Sequence, residues 1–122
     1  MTIKDIFDTM DWGKAPESDA EAQAWLERHD RAFGHFIGGK WTDPSDTFAT
    51  KNPANGEELA QLSQGGGDEV ELAVRAARKA QGPWAKLSGH QRAKYLYALA
   101  RLVQKHARLF AVLETMDNDK PI

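Results

Sequence analysis

The residues able to do chemistry are few and dispersed. The chain has no cysteine, so it offers no thiolate nucleophile, no thiolate metal site and no disulfide. His29, His35, His90 and His106 stand at no mutual spacing that would bring two imidazoles to one metal ion, and are expected as solvated or core histidines. Asp117 and Asp119 flank Asn118 like the first positions of a calcium loop, but the loop's glycine and closing glutamate do not follow. Glu114 reads as a helix surface charge rather than a general base.

One stretch, QLSQGGGDEVELAV at 61–74, makes a sharper suggestion. An alternating run (Leu59, Gln61 and Ser63 against Ala60, Leu62 and Gln64) gives way to three glycines and then to an amphipathic helix. Strand, glycine turn and helix start is the arrangement that holds nucleotide phosphates. A phosphate needs free amides and no competing carboxylate at the helix start. Here Asp68 sits where the cap belongs, Glu69 and Glu71 follow, and neither glycine fingerprint is present. The turn is structural, with Asp68 expected as the cap.

The elements around these residues follow from periodicity. Ile3, Ile6, Phe7 and Met10 recur at helical spacing. Ser18 with Glu21 predicts a capping box and a helix from Asp19 to about Ala32, with Ala22, Trp25, Leu26 and Phe33 on one face. Phe36-Ile37 and Lys40-Trp41 flank Gly38-Gly39, a hairpin turn of positive φ. The stretches at 47–52 and 57–63 read as strands joined by a turn at Pro53 to Gly56. Val70, Ala73, Val74 and Ala77 form the buried stripe of a helix over 69–81, closed by Gly82-Pro83. Ser88 with Gln91 caps a helix with a core face of Ala93, Leu96, Leu99, Ala100 and Val103. Leu109, Phe110, Leu113 and Met116 belong to a last helical stretch, with a break near His106. The fold class is mixed α/β: an N-terminal helix, short antiparallel hairpins and two to three amphipathic helices.

Charge narrows the function classes. The 122 residues carry a net charge of −2, with acids concentrated in residues 1–30 and bases in 70–110. Arg75, Arg78 and Lys79, and then Lys94, Arg101, Lys105 and Arg108, are the polar faces of amphipathic helices. Apart from Tyr95 and Tyr97, stacking aromatics are not interleaved with them, so no nucleic-acid partner is expected. No run reaches membrane-spanning length and the N-terminus has no apolar signal core, so the expectations are no membrane and a cytoplasmic location.

Several stretches in order resemble a known family. FIGGKW at 36–41 followed by TFATKNPANGEELAQLSQG at 47–65 is similar to the opening of an aldehyde dehydrogenase. The next helices are similar too, in the A-x-x-A-A-R-x-A pattern at 73–80, in Trp84, in Arg92 and in LETMDNDKP at 113–121. The chain ahead of Trp41 resembles the N-terminal extension of the family-16 aldehyde dehydrogenases. One position departs: the family has glycine where this chain has Asp119, which a left-handed backbone would tolerate.

The resemblance implies a part of the larger aldehyde dehydrogenase α/β fold. Residues 1–34 would be an acidic helical extension, and 35–122 an incomplete hairpin-plus-helices portion of the cofactor-binding domain. It implies an enzyme in which a cysteine thiolate attacks an aldehyde, hydride passes to NAD or NADP, and a glutamate activates water. That cysteine and glutamate would lie later in a longer chain, which would form a homo-oligomer. It further implies a monovalent cation, Na+ or K+, held by backbone carbonyls at Thr50 and Lys51 and by the Asp117 carboxylate; the alternative is that Asp117 closes its helix end. A segment of this kind would be inactive alone and leave helix faces exposed. The other reading is a freestanding, non-catalytic helical interaction module.

Overall fold

The computed structural model describes residues 18–122, so the helical spacing of Ile3, Ile6, Phe7 and Met10 lies outside the described residues. The first helix, α1 (Ala20–Glu27), is shorter than predicted. Its N-cap is Asp19 rather than Ser18, and the cap side chain makes no capping bond. The helix ends early because Asp30 and Arg31 take left-handed backbones, φ 52° and 49°. Two such residues in succession turn the chain out of the helix, and Ala32–Phe33 becomes a strand, β1. His29 Nδ1 meets the Trp25 carbonyl at 2.8 Å and closes the frayed end.

The strands β2 (Phe36–Ile37) and β3 (Lys40–Trp41) form the predicted hairpin. Gly38 and Gly39 have φ 61° and 82°, the two positive values that match the twist of a two-residue turn. β4 (Thr47–Lys51) and β5 (Glu58–Ser63) are the predicted antiparallel pair. Their turn is closed by Asn52 N–H donating to the Glu57 carbonyl at 2.8 Å, with Gly56 at φ 75°. The sequence reading missed one pairing: β1 lies parallel to β5, Ala32 beside Gln61 and Phe33 beside Leu62. The sheet order is therefore β1-β5-β4, and it is not purely antiparallel.

Thr50 pairs with Ala60, but Lys51 pairs with Glu58. Leu59 is therefore an extra residue, a β-bulge. The bulge lets two consecutive side chains, Leu59 and Ala60, both be buried, where a regular strand would turn one outward.

α2 (Gly67–Lys86) runs straight through Gly82 and Pro83 instead of stopping before them. Proline removes the bond from residue 83 to the carbonyl one turn back and crowds that carbonyl, yet the helix continues to Lys86. α3 (Gly89–Lys105) carries the predicted capping box: Gln91 N–H donates to Ser88 Oγ at 3.2 Å, and Ser88 N–H to Gln91 Oε1 at 2.8 Å. His106, at φ −107° and ψ 16°, makes the predicted break before α4 (Ala107–Asn118).

The core is built from α1, β5 and α4: Ala22 and Leu26, Leu59 and Ala60, then Leu109, Val112 and Met116. Trp25, Phe33, Leu62 and Leu113 pack against it, Trp25 stacking on Phe33 at 5.4 Å. α2 and α3 contribute no buried residue. The stripe Val70, Ala73, Val74 and Ala77 and the face Ala93, Leu96, Leu99, Ala100 and Val103 are exposed, against their reading as core. The apolar patterns are real, but among the described residues α2 meets only the β2–β3 hairpin, near Ala73, Ala76 and Ala77, and neither helix buries its face.

Candidate cation site at the sheet–helix junction

Thr50 is half-buried on β4, and Asp117 is in the last turn of α4. The structure brings them together: the Thr50 hydroxyl donates to Asp117 Oδ1. This bond joins the sheet to the helix across a groove walled by Trp25, Phe33, Leu62, Phe110 and Leu113. Glu114 lines the same groove and lies 3.9 Å from Lys120 Nζ.

Other groups close the end of α4. Asp119 takes the left-handed conformation, φ 62° and ψ 20°, and its N–H donates to the Thr115 carbonyl at 2.8 Å. Thr115 Oγ1 donates to the Lys120 carbonyl at 2.6 Å, and Lys120 N–H donates to Asn118 Oδ1 at 2.9 Å. The position where glycine was expected is thus left-handed, and a short polar residue fills it. The Asp117 carboxylate meanwhile reaches across to β4.

Thr50 and Asp117 supply a hydroxyl and a carboxylate, hard oxygens suited to an oxygen-ligated cation. Lys51 does not join them through its side chain, which is exposed and cationic. Only its carbonyl, next along the strand, is of the right chemistry. Among the described residues, no group of three or more His, Asp or Glu side chains is placed to hold a metal ion.

The glycine turn is capped, but not by Asp68. Gly66 is the N-cap of α2, and its N–H donates to Glu69 Oε2 at 2.8 Å. That bond holds the Glu69 carboxyl below the usual carboxylate range; its own amide and, more weakly, the charge of His35 act in the same direction, against a small opposing effect of desolvation. Glu69 therefore occupies an amide that a phosphate would need. The residues present do not fit the pyrophosphate of a dinucleotide at this helix start.

Two residues with large roles went unnoticed in the sequence. Arg31 donates from Nη1 to the Leu59 carbonyl at 3.0 Å, from Nη2 to Gln23 Oε1 at 2.7 Å and from Nε to Glu27 Oε1 at 2.8 Å. No local pattern marks it. Gly34 sits where an added Cβ would lie 2.0 Å from the Thr42 carbonyl oxygen. Its place just before a β-prone run was a usable hint of close backbone approach.

Residues 41–122 match the sequence model of the aldehyde dehydrogenase family. The chain is 42% identical over 90 residues to aldehyde dehydrogenase family 2 member B4, mitochondrial, of Arabidopsis thaliana, covering 70% of this chain and 17% of that protein. It is 38% identical over 91 residues to the mitochondrial aldehyde dehydrogenase of Homo sapiens, covering 70% and 18%. Among solved structures, HpcC from Thermus thermophilus superposes with a TM-score of 0.74 at 32% identity, over 87% of this chain and 22% of that one. An aldehyde dehydrogenase variant from Bacillus cereus gives 0.71 at 34% identity, over 80% and 20%. The chain spans less than a fifth of the length of these curated relatives.

Proposed function

The chain belongs to the aldehyde dehydrogenase family, and from that premise we propose that it is the N-terminal part of an NAD(P)-dependent enzyme oxidising aldehydes to carboxylic acids. The observation that carries this reading is the match over 41–122 together with the small share of each relative that the chain covers. The chemistry of such an enzyme needs a nucleophile that is also a leaving group, which a thiolate provides. This chain has no cysteine, so that group must come from residues beyond these.

In this reading, residues 1–34 are an acidic extension like that of the family-16 members, and 35–122 are the opening of a cofactor-binding domain. Thr50, Asp117 and the carbonyl of Lys51 contribute to a monovalent cation site. The full-length enzyme is a cytoplasmic homo-oligomer. What supports a larger parent is the exposure of Val70 (61%), Leu96 (60%) and Leu99 (58%), apolar side chains whose burial would stabilise a larger fold by about 2 kcal/mol each.

The test is the intact mass of the natural product from its source cells, combined with an assay of aldehyde and NAD(P)+. A product several times 13.6 kDa that reduces NAD(P)+, beside an inactive 122-residue chain, is expected. The same exposed helices favour one other reading, a freestanding interaction module. A natural product of 13.6 kDa that is monomeric and unfolds cooperatively would put that reading first.

A further inference from the structure

We infer that Arg31 is a positioning residue: it fixes the register of β4 on β5, and through it the Thr50–Asp117 pair. The register has a weak point. The turn sets Asn52 opposite Glu57 and hence Lys51 opposite Glu58, yet from Thr50 onward the ladder runs one residue out of step. The step is taken at Leu59, and a bulged residue leaves the ladder locally disrupted. Without something to hold Leu59 out of line, the strands would pair in the regular register, with Thr50 opposite Leu59. A slip of one residue turns every side chain of a strand to the other face. Because β5 is also paired with β1, the strand that turns over is β4, and the slip would carry Thr50 away from Asp117.

Arg31 meets that need in two ways. Its guanidinium donates to the Leu59 carbonyl at 3.0 Å, and its own carbonyl accepts from Gln61 N–H at 2.8 Å. Side chain and backbone of one residue thus grip β5 on both sides of Ala60. The guanidinium is itself fixed by Glu27 and Gln23, four and eight residues back, and the left-handed backbone of Arg31 brings both grips to bear on one strand. A planar fork of five donors holds three separated acceptors in one fixed geometry, where a lysine offers a single compact ammonium on a flexible stem. Arg31, Gln23 and Glu27 all precede residue 41, where the family match begins. The device does not depend on what Thr50 and Asp117 bind.

The experiment uses the isotopically labelled 122-residue chain and its Arg31→Met and Arg31→Lys variants. It reads cross-strand NMR contacts of Thr50 and the hydrogen exchange of the Leu59, Ala60 and Gln61 amides, with Leu113 in α4 as internal reference. In Arg31→Met the Thr50–Ala60 contact should give way to Thr50–Leu59. Exchange at residues 59–61 should quicken at least about tenfold relative to Leu113, the size expected for one charge-assisted hydrogen bond. Arg31→Lys keeps one donor for the Leu59 carbonyl and should retain the Thr50–Ala60 contact with a smaller, still local, rise in exchange. Retention of the contact in Arg31→Met, with exchange unchanged or changed equally at Leu113, would overturn the assignment. Should Arg31→Met not fold, Arg31→Lys decides, since a uniform rise in exchange there would overturn it equally. None of these readings involves aldehyde, cofactor or cation, so they stand or fall apart from the proposed enzyme.

Discussion

Leu26 and Leu99 both lie on the apolar face of an amphipathic helix, yet Leu26 is 4% exposed and Leu99 58%. The first belongs to the half of the chain where α1, the three-stranded sheet and α4 close on one another. The second belongs to α2 and α3, which carry patterns at least as regular and bury nothing. Periodicity reports that a face is apolar and which way it points along its own helix. It does not report whether a partner is present. The stabilisation available to such a face, about 2 kcal/mol per fully buried leucine, is realised in α1 and unrealised in α3.

The contrast can be broken directly. Leu26→Ala should cost about 3 kcal/mol, transfer and cavity together, whereas Leu99→Ala should stay within about 0.5 kcal/mol, as exposed substitutions do. Urea midpoints followed by tryptophan fluorescence would measure both; equal losses would mean the two halves are not energetically distinct. Gly34→Ala should cost about 2 kcal/mol, because the new methyl meets the Thr42 backbone, and backbone rather than a side-chain tip must give way. The same titration reads it. Asp119→Ala places an ordinary side chain in the left-handed region and should cost about 1 kcal/mol, while Asp119→Gly should cost nothing or stabilise slightly. Thermal unfolding of the pair separates these.

The smallest effect lies at the start of α2. Glu69 is held below its ordinary pKa of 4.5 by the Gly66 amide, so its folded value is depressed. Its contribution is present above the unfolded value and is lost as pH falls through the folded one. Helix content of the native chain and of Glu69→Gln should differ at neutral pH and converge on acidification below 4.5. A difference that grew on acidification would contradict the bond.

Local chemistry was legible wherever one or two residues decide the backbone. Ser88 with Gln91, Gly38-Gly39, the turn at 52–57 and the break at His106 all stand as read. What failed was set by distant parts of the chain. Ala32–Phe33 is a strand because β5 offers an edge to pair with, and nothing within 30–33 announces that edge. Pro83 reads as a stop, yet a helix tolerates one missing donor when its neighbours hold. The bulge at Leu59 was invisible for the same reason, since a run of strand residues looks alike with or without a step in its pairing. Of the candidate site, Thr50 and Asp117 do come together, but their partnership rests on a helix and a strand that no local pattern connects.

The core joins the first described helix to the last, Leu26 packing in one cluster with Met116. Order of synthesis then matters. While the ribosome adds β4, β5, α2 and α3, the apolar face of α1 has no α4 to meet. At about 5 to 20 residues per second, this interval lasts roughly 5 to 20 s. During it the β4–β5 hairpin can form from neighbouring residues, but the cluster cannot close. The nascent chain thus presents Trp25, Leu26 and Phe33 to the cell's chaperones until nearly all of this segment has been made.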